Sequence, residues 1–151
     1  MFRLIKIEGG RINVFEPQKY PVIKTKDIHA GHALKLGTTG VLESCEGTTK
    51  PTFVALADNY YYVDGTKVYR DEIAVGRVTA DQVYETEVSA AATNLKVGNK
   101  VTIEASAAAS GDTAAVEGGL RVTATTTSGV AEIIDLCGAS VAGDKVLVRF
   151  S

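Results

Sequence analysis

The chain contains no tryptophan, one methionine and four phenylalanines, which excludes a deep aromatic core even though 45% of its 151 residues are apolar. Alanine and valine supply much of that fraction, and Ala, Val, Thr and Gly dominate the second half, so thin and tightly packed strands are expected. No stretch approaches the ~20 apolar residues of a membrane span. The N-terminus also lacks the apolar run and cleavage site of a signal peptide. The expectation is a protein made and kept in the cytosol, or assembled there into something larger, with no membrane partner. Cys45 and Cys137 have no metal-binding or redox spacing. One bridge between them is an option, and two free thiols is the reading a reducing cytosol favours. Only three prolines and two histidines are present.

The charge is small, −2 overall, and gives no reason to expect nucleic acid as a partner. Its distribution is uneven. Residues 1–35 hold seven Lys/Arg against three acids, and residues 36–151 hold nine against fifteen. A basic first quarter on an acidic body suggests two parts that face different surroundings, with chance scatter as the competing explanation. The length predicts one domain with a small appendage. The chain divides into a basic arm, hairpin and connector over 1–28 and a β-barrel-like body over 29–151.

What is present is a phrase used three times. Ala30-Gly31-His32-Ala33-Leu34-Lys35-Leu36 returns as Val97-Gly98-Asn99-Lys100-Val101-Thr102-Ile103, and again as Ala142-Gly143-Asp144-Lys145-Val146-Leu147-Val148. Each copy is a small apolar residue, a Gly turn with a polar neighbour, then apolar residues two apart. That pattern predicts a tight turn feeding a half-buried strand.

Phe2 to Glu16 reads as a hairpin turned by Gly9-Gly10. It would set Glu8 opposite Arg11 and Arg3 opposite Glu16, and place Ile5, Ile7, Ile12 and Val14 on one face. Such a hairpin is marginal alone and must dock on the body or on another molecule. Residues 17–29, with Pro17 and Pro21, read as an extended connector that cannot sit in a central strand. A second hairpin, Asn59 to Arg70, is turned by Asp64-Gly65. Its register puts Tyr60, Tyr62, Lys67 and Tyr69 on one face and Tyr61, Val63, Thr66 and Val68 on the other. Residues 105–112 read as a loop or a weak hairpin tip. The closing strand, Lys145 to Phe150, is expected inside the sheet. In all, nine or ten short antiparallel strands predict an all-β small barrel or sandwich with an N-terminal hairpin or extended arm.

No catalytic constellation is apparent. His29 and His32 flank a Gly turn without a completing ligand cluster, so loop histidines are favoured over a metal pair. Ser44-Cys45-Glu46 lacks a nucleophile-elbow frame. Gly37–Gly40 and Gly118-Gly119 lack the lysine and spacing of a phosphate loop. No enzyme activity, cofactor or metal is expected. The tyrosine face, with Lys67, is the one candidate site. Tyrosine buries much area at little entropy cost, which suits an interface; tyrosines packed under a neighbouring loop are the plainer alternative. Stacking of single-stranded nucleic acid would require a basic groove, and Asp58, Asp64, Asp71 and Glu72 crowd this one.

Lys24 to Leu36, Phe53-Val54-Ala55-Leu56-Ala57, Ile73-Ala74-Val75-Gly76-Arg77-Val78 and Gly143 to Phe150 carry a resemblance over most of the chain. With these stretches the chain resembles the capsid decoration, or head auxiliary, proteins of tailed bacteriophages. It is one of texture, without a diagnostic motif. It implies a β-rich virion protein on the capsid surface, assembled in the bacterial cytoplasm, that clamps neighbouring major capsid subunits through an N-terminal arm. Arg3, Ile5, Ile7, Ile12, Val14, Lys24 and Lys26 would then meet the major capsid protein. Tyr60, Tyr62, Lys67 and Tyr69 would meet neighbouring copies of the chain, which would be monomeric or trimeric before reaching the lattice. The rival readings are a tail-tube, connector or fibre-base protein, and a small β-barrel that binds a carbohydrate or peptide.

Overall fold

A computed structural model describes residues 1–8, 17–125 and 128–151. The described residues form thirteen strands and no helix. These are β1 (Arg3–Ile7), β2 (Gln18–Pro21), β3 (Ala33–Leu36), β4 (Leu42–Ser44), β5 (Phe53–Ala55), β6 (Tyr60–Val63), β7 (Thr66–Tyr69), β8 (Glu72–Arg77), β9 (Gln82–Val88), β10 (Lys100–Ile103), β11 (Arg121–Ala124), β12 (Ala131–Asp135) and β13 (Lys145–Phe150). The all-β expectation holds. The strand count is higher than the sequence suggested, partly because Gln18–Pro21 is a strand where a connector was expected. Val22 N–H donates to Asp71 O. By alternation Pro21 therefore turns its missing N–H away from β8, where it costs the ladder nothing.

Strands β9, β11, β10, β12 and β13 pair in that order, and β13 pairs back onto β9 to close a five-stranded barrel. The last strand thus lies between β12 and β9, as its apolar sequence implied. β1 lies along the other edge of β9, pairing Arg3 with Glu85 and Ile7 with Gln82, and β11 takes over that edge at Glu87 and Val88. The register of β1 slips between Leu4 and Lys6. Ile5 falls at the slip and is exposed, whereas Phe2 is buried. The first strand is therefore docked on the body. The opposing half of the expected first hairpin, with Arg11, Ile12, Val14 and Glu16, lies outside the described residues.

The second sheet runs β2-β8-β5-β3-β4, and a parallel bridge between Val22 and Leu42 brings its two ends together. Its connectivity repeats that of the first barrel strand for strand. β2, β3, β4, β5 and β8 take the places of β9, β10, β11, β12 and β13, including the one parallel contact. Registers match as well. Leu34 opposes Phe53 and Ser44 as Val101 opposes Ala131 and Ala124, and Val54 opposes Gly76 as Glu132 opposes Arg149.

The first two copies of the repeated phrase stand at equivalent places in this scheme. Gly31 N–H donates to Ala55 O and Gly98 N–H to Ile133 O, both at 2.8 Å. Both glycines have φ of +88°, a left-handed conformation that favours glycine. The side chain that follows closes each turn: His32 Nδ1 accepts from the His29 N–H at 2.7 Å, and Asn99 Oδ1 accepts from the Lys96 N–H at 2.9 Å. The third copy, at Gly143 with φ +91°, is the same local device in front of a different strand.

The interior of the β2–β8 barrel is packed by residues such as Val22, Leu34, Leu42, Phe53 and Val75. The other barrel uses Val88, Val101, Val122, Ile133 and Val148. A large side chain at Phe53 beside the small Ala55 becomes a small Ala131 beside the larger Ile133, so the barrels exchange volume along equivalent strands. Between them lies an apolar seam in which Ala33, Cys45 and Val54 join Phe2, Tyr84 and Phe150. Backbone bonds sew it shut: Gly47 and Ile103 exchange two, at 2.9 and 3.1 Å, and Phe2 N–H reaches Gly31 O at 2.9 Å.

The equivalence of Gly31 and Gly98 makes a controlled comparison. A Cβ at Gly31 would sit 2.7 Å from the Met1 Cβ and 3.1 Å from Phe2 O, whereas one at Gly98 meets nothing within 4 Å. Gly98→Ala is expected to cost about 1–2 kcal/mol from backbone strain alone. Gly31→Ala is expected to cost about 3 kcal/mol or more, because it also forces the first strand off the seam. Urea denaturation of both variants measures the difference, and equal losses would contradict the packing described.

Candidate functional site

The hairpin expected over Asn59–Arg70 is present as a two-stranded sheet, β6 and β7, inserted between β5 and β8. Asp64 and Gly65 have φ of +47° and +80°, as a two-residue turn of this kind requires. The register pairs Tyr60 with Tyr69 and Tyr62 with Lys67, which places those four side chains on one face. The other face carries Tyr61, whose ring has the Arg70 guanidinium 4.8 Å from its centroid.

The four residues are gathered as the sequence indicated. The Lys67 ammonium lies 4.4 Å from the Tyr60 ring centroid. Tyr60 meets Tyr62 and Tyr69 edge-on at 5.9 and 6.5 Å. The polar floor beneath them left no mark in the sequence. Asp27 accepts from Lys67 Nζ at 2.6 Å and from the Tyr69 hydroxyl at 2.7 Å. The Lys67 bond, then the Tyr69 bond, holds the Asp27 carboxyl below its ordinary range, and the same carboxylate raises Lys67 and Tyr69. Asn59 is fully buried. Its side chain accepts from Ile28 N–H and donates to Ile23 O and Lys26 O, so one amide ties residues 23–28 to the base of the hairpin.

A second cluster adjoins the first. The Tyr60 hydroxyl lies 3.3 Å from His29 Nδ1. His29 and His32 stack at 5.7 Å, and Glu117 Oε1, from the other barrel, stands 3.3 and 3.5 Å from their Nε2 atoms. The histidines are loop residues, as expected, and among the described residues no group of His, Cys, Asp and Glu is arranged to hold a metal ion. Because His32 Nδ1 accepts from a backbone N–H, its ring proton sits on Nε2, facing Glu117. Burial is the largest influence on His32 and pushes its pKa down, against the opposing pull of Glu117. Asp27 and Glu117 left no sequence signal, since each reaches the site from a distant part of the chain, and Asn59, beside Tyr60, gave none of its bonds to residues 23–28.

The residues expected to meet a capsid are spread out. Arg3 and Ile5 stand on β1, where Arg3 lines a groove with Glu85, Glu87 and Lys145. Ile7 is half-buried at the end of the same strand. Lys24 is paired with Asp71 and lines a second groove with Lys19. Lys26 lines a third, with Glu43 and Glu46. Ile12 and Val14 lie outside the described residues. Much of the basic excess of the first quarter is answered locally, by the pairs Lys6–Glu8, Lys24–Asp71 and Lys35–Glu43. Both cysteines are free. Burial pushes the Cys45 thiol up to about 11, which leaves it protonated at neutral pH.

No protein-family model matches the chain, and no curated protein matches it.

The low pKa of His32 has a direct consequence. The unfolded chain binds a proton at this ring near the ordinary value of about 6.5, and the folded chain binds it only at lower pH. Stability contributed here is therefore full above the ordinary value and lost as the pH falls from it through the lower folded value. Asn99 does the same turn-closing job without titrating, so His32→Asn should keep the fold. It is expected to cost about 1–2 kcal/mol at pH 8 and to flatten the loss of stability down to about pH 5. Denaturation midpoints of both proteins across that range provide the check; parallel curves would refute the assignment.

Proposed function

We propose that this protein is a structural component of a tailed-phage particle, a capsid decoration protein that sits on the outer head surface and clamps neighbouring major capsid subunits. The observation that carries the reading is the β6–β7 hairpin. It stands as a sheet of its own, with Tyr61, Tyr62 and Val63 exposed, on a polar network whose groups engage one another. Such an arrangement fixes a contact surface, and aromatic residues held at low entropy cost are what interfaces employ. The basic residues Arg3, Lys24 and Lys26, with Ile5 and Ile7, form the capsid-facing set. Tyr60, Tyr62, Lys67 and Tyr69 serve contacts between copies. Weak individual contacts would add up over a lattice.

Deleting the arm is a poor test, because Phe2 belongs to the seam. Co-sedimentation with expanded, undecorated phage heads tests the reading instead. The intact protein is expected to saturate the heads at a fixed ratio to the major capsid protein. Replacing Arg3, Lys24 and Lys26 by Glu is expected to weaken binding by about tenfold or more. Failure to bind heads, or a closed ring in solution, would move the tail-tube, connector or fibre-base reading ahead.

One observation favours a second reading. Tyr62, at 62% exposure, presents an open ring beside polar groups, which suits a small β-barrel that binds a carbohydrate or peptide. Glycan-array binding that disappears in Tyr62→Ala would select it; a blank array removes carbohydrate as the ligand.

A further inference from the structure

Strand β6 belongs to a two-stranded sheet, so its second edge carries no strand among the described residues. Arg70 N–H donates to Asn59 O at 2.7 Å, which points that carbonyl toward β7. Alternation then turns the N–H and C=O groups of Tyr61 and Val63 toward β7, and those of Tyr60 and Tyr62 outward. This outward row belongs to a segment with no charge and no proline, and its pairing with β7 runs without a bulge. Edge strands are normally guarded by such devices. Elsewhere the chain does guard its edges: β1 carries Arg3, Lys6 and a register slip, and β2 carries Lys19 and Pro21. On the hairpin, Tyr61, Tyr62 and Val63 are exposed, whereas Lys67, Val68 and Tyr69 of β7 are half-buried. The unguarded side faces solvent.

Carboxylates bracket the uncharged segment. Asp58 precedes β6 with its side chain 45% exposed, and Asp64 follows it at the exposed turn. We propose that the outer edge of β6 is a strand-addition site for an extended segment of another protein, uncharged at its centre and carrying Lys or Arg at both ends. Backbone bonds to Tyr60 and Tyr62 supply affinity, and the two carboxylates select the basic flanks and set the register. A second copy of this chain fits less well. The antiparallel register that satisfies both outward residues pairs Tyr60 with Tyr62 of the other copy and sets Asp58 against Asp64 at each end, a juxtaposition of like charges. The inference stands on backbone geometry and is separate from the capsid reading, so either can fail alone.

The probe is the capped peptide Lys-Val-Thr-Val-Thr-Val-Lys, whose end charges match the spacing of the two aspartates. It is added to the full chain and followed by amide hydrogen exchange and calorimetry. The expected result is exchange slowed by more than about tenfold at the Tyr60 and Tyr62 amides, with Tyr61 and Val63, already bonded to β7, unchanged. Replacing both peptide lysines by Glu should weaken binding by about tenfold or more, and N-methylating its alternate amides should abolish it. Tyr62→Pro, which removes one outward N–H at a position where an edge strand tolerates proline, should also abolish it. If that variant does not fold, the N-methylated peptide still decides. No slowing at Tyr60 and Tyr62, or slowing that survives N-methylation, overturns the proposal. Slowing that rises with protein concentration and needs no peptide assigns the edge to a second copy and overturns the proposed partner.

Discussion

The apolar seam between the two barrels is the contact on which the rest of the molecule depends. A barrel of about sixty residues buries too small a share of its surface to be comfortably stable alone. Here each barrel turns part of its outer wall inward. Ala33, Cys45 and Val54 would be solvent-facing on an isolated β2–β8 barrel, and in the seam they lie in the larger of the two cores among the described residues. Phe2, supplied by the segment before β1, caps the same core against Phe150 at 5.2 Å. Across the seam, Glu117 of the other barrel reaches the histidine cluster, 3.3 Å from His29 Nε2 and 3.5 Å from His32 Nε2.

The local pieces of this fold and its all-β barrel class were legible in the sequence, and the doubling of the barrel was not. The Asp64-Gly65 turn fixed which tyrosines share a face, because the register of a two-residue hairpin follows from its loop. The Gly31 and Gly98 phrases announced their turns, because a left-handed residue followed by a side chain that closes the turn leaves a readable mark. The barrel equivalence left almost none. Paired positions such as Phe53 and Ala131, or Ala55 and Ile133, exchange volume while preserving the core, so residue identity is lost and connectivity is kept. His32 and Asn99 show the same economy in polar form, with one acceptor atom and two residue types.

The candidate site divides in the same way. Tyr60, Tyr62, Lys67 and Tyr69 are neighbours through a local register and could be grouped from sequence alone. Asp27 and Glu117 arrive through tertiary packing, and no spacing rule reaches them. Their presence changes the meaning of the tyrosine face. Lys67 and Tyr69 are bonded to Asp27, and Tyr60 faces His29, so the inner part of the face is held in one arrangement. The exposed Tyr62 is where that face is open to another molecule, and Tyr61 and Val63 are exposed on the hairpin's other face. The basic arm underwent the opposite revision: a surface that looked exposed in sequence is partly neutralised by the acids of the body.

The hairpin occupies the β5-to-β8 connection of its barrel. At the matching connection, between β12 and β13, the second barrel has only a short exposed turn through Cys137 and Val141. The scaffold therefore has two topologically equivalent connections, of which one carries a hairpin. Since lengthening a surface loop adds little to its closure entropy, the β12-to-β13 connection is a ready place to graft a second hairpin. A chain built that way would present two different recognition loops from one rigid base, at a separation set by the seam.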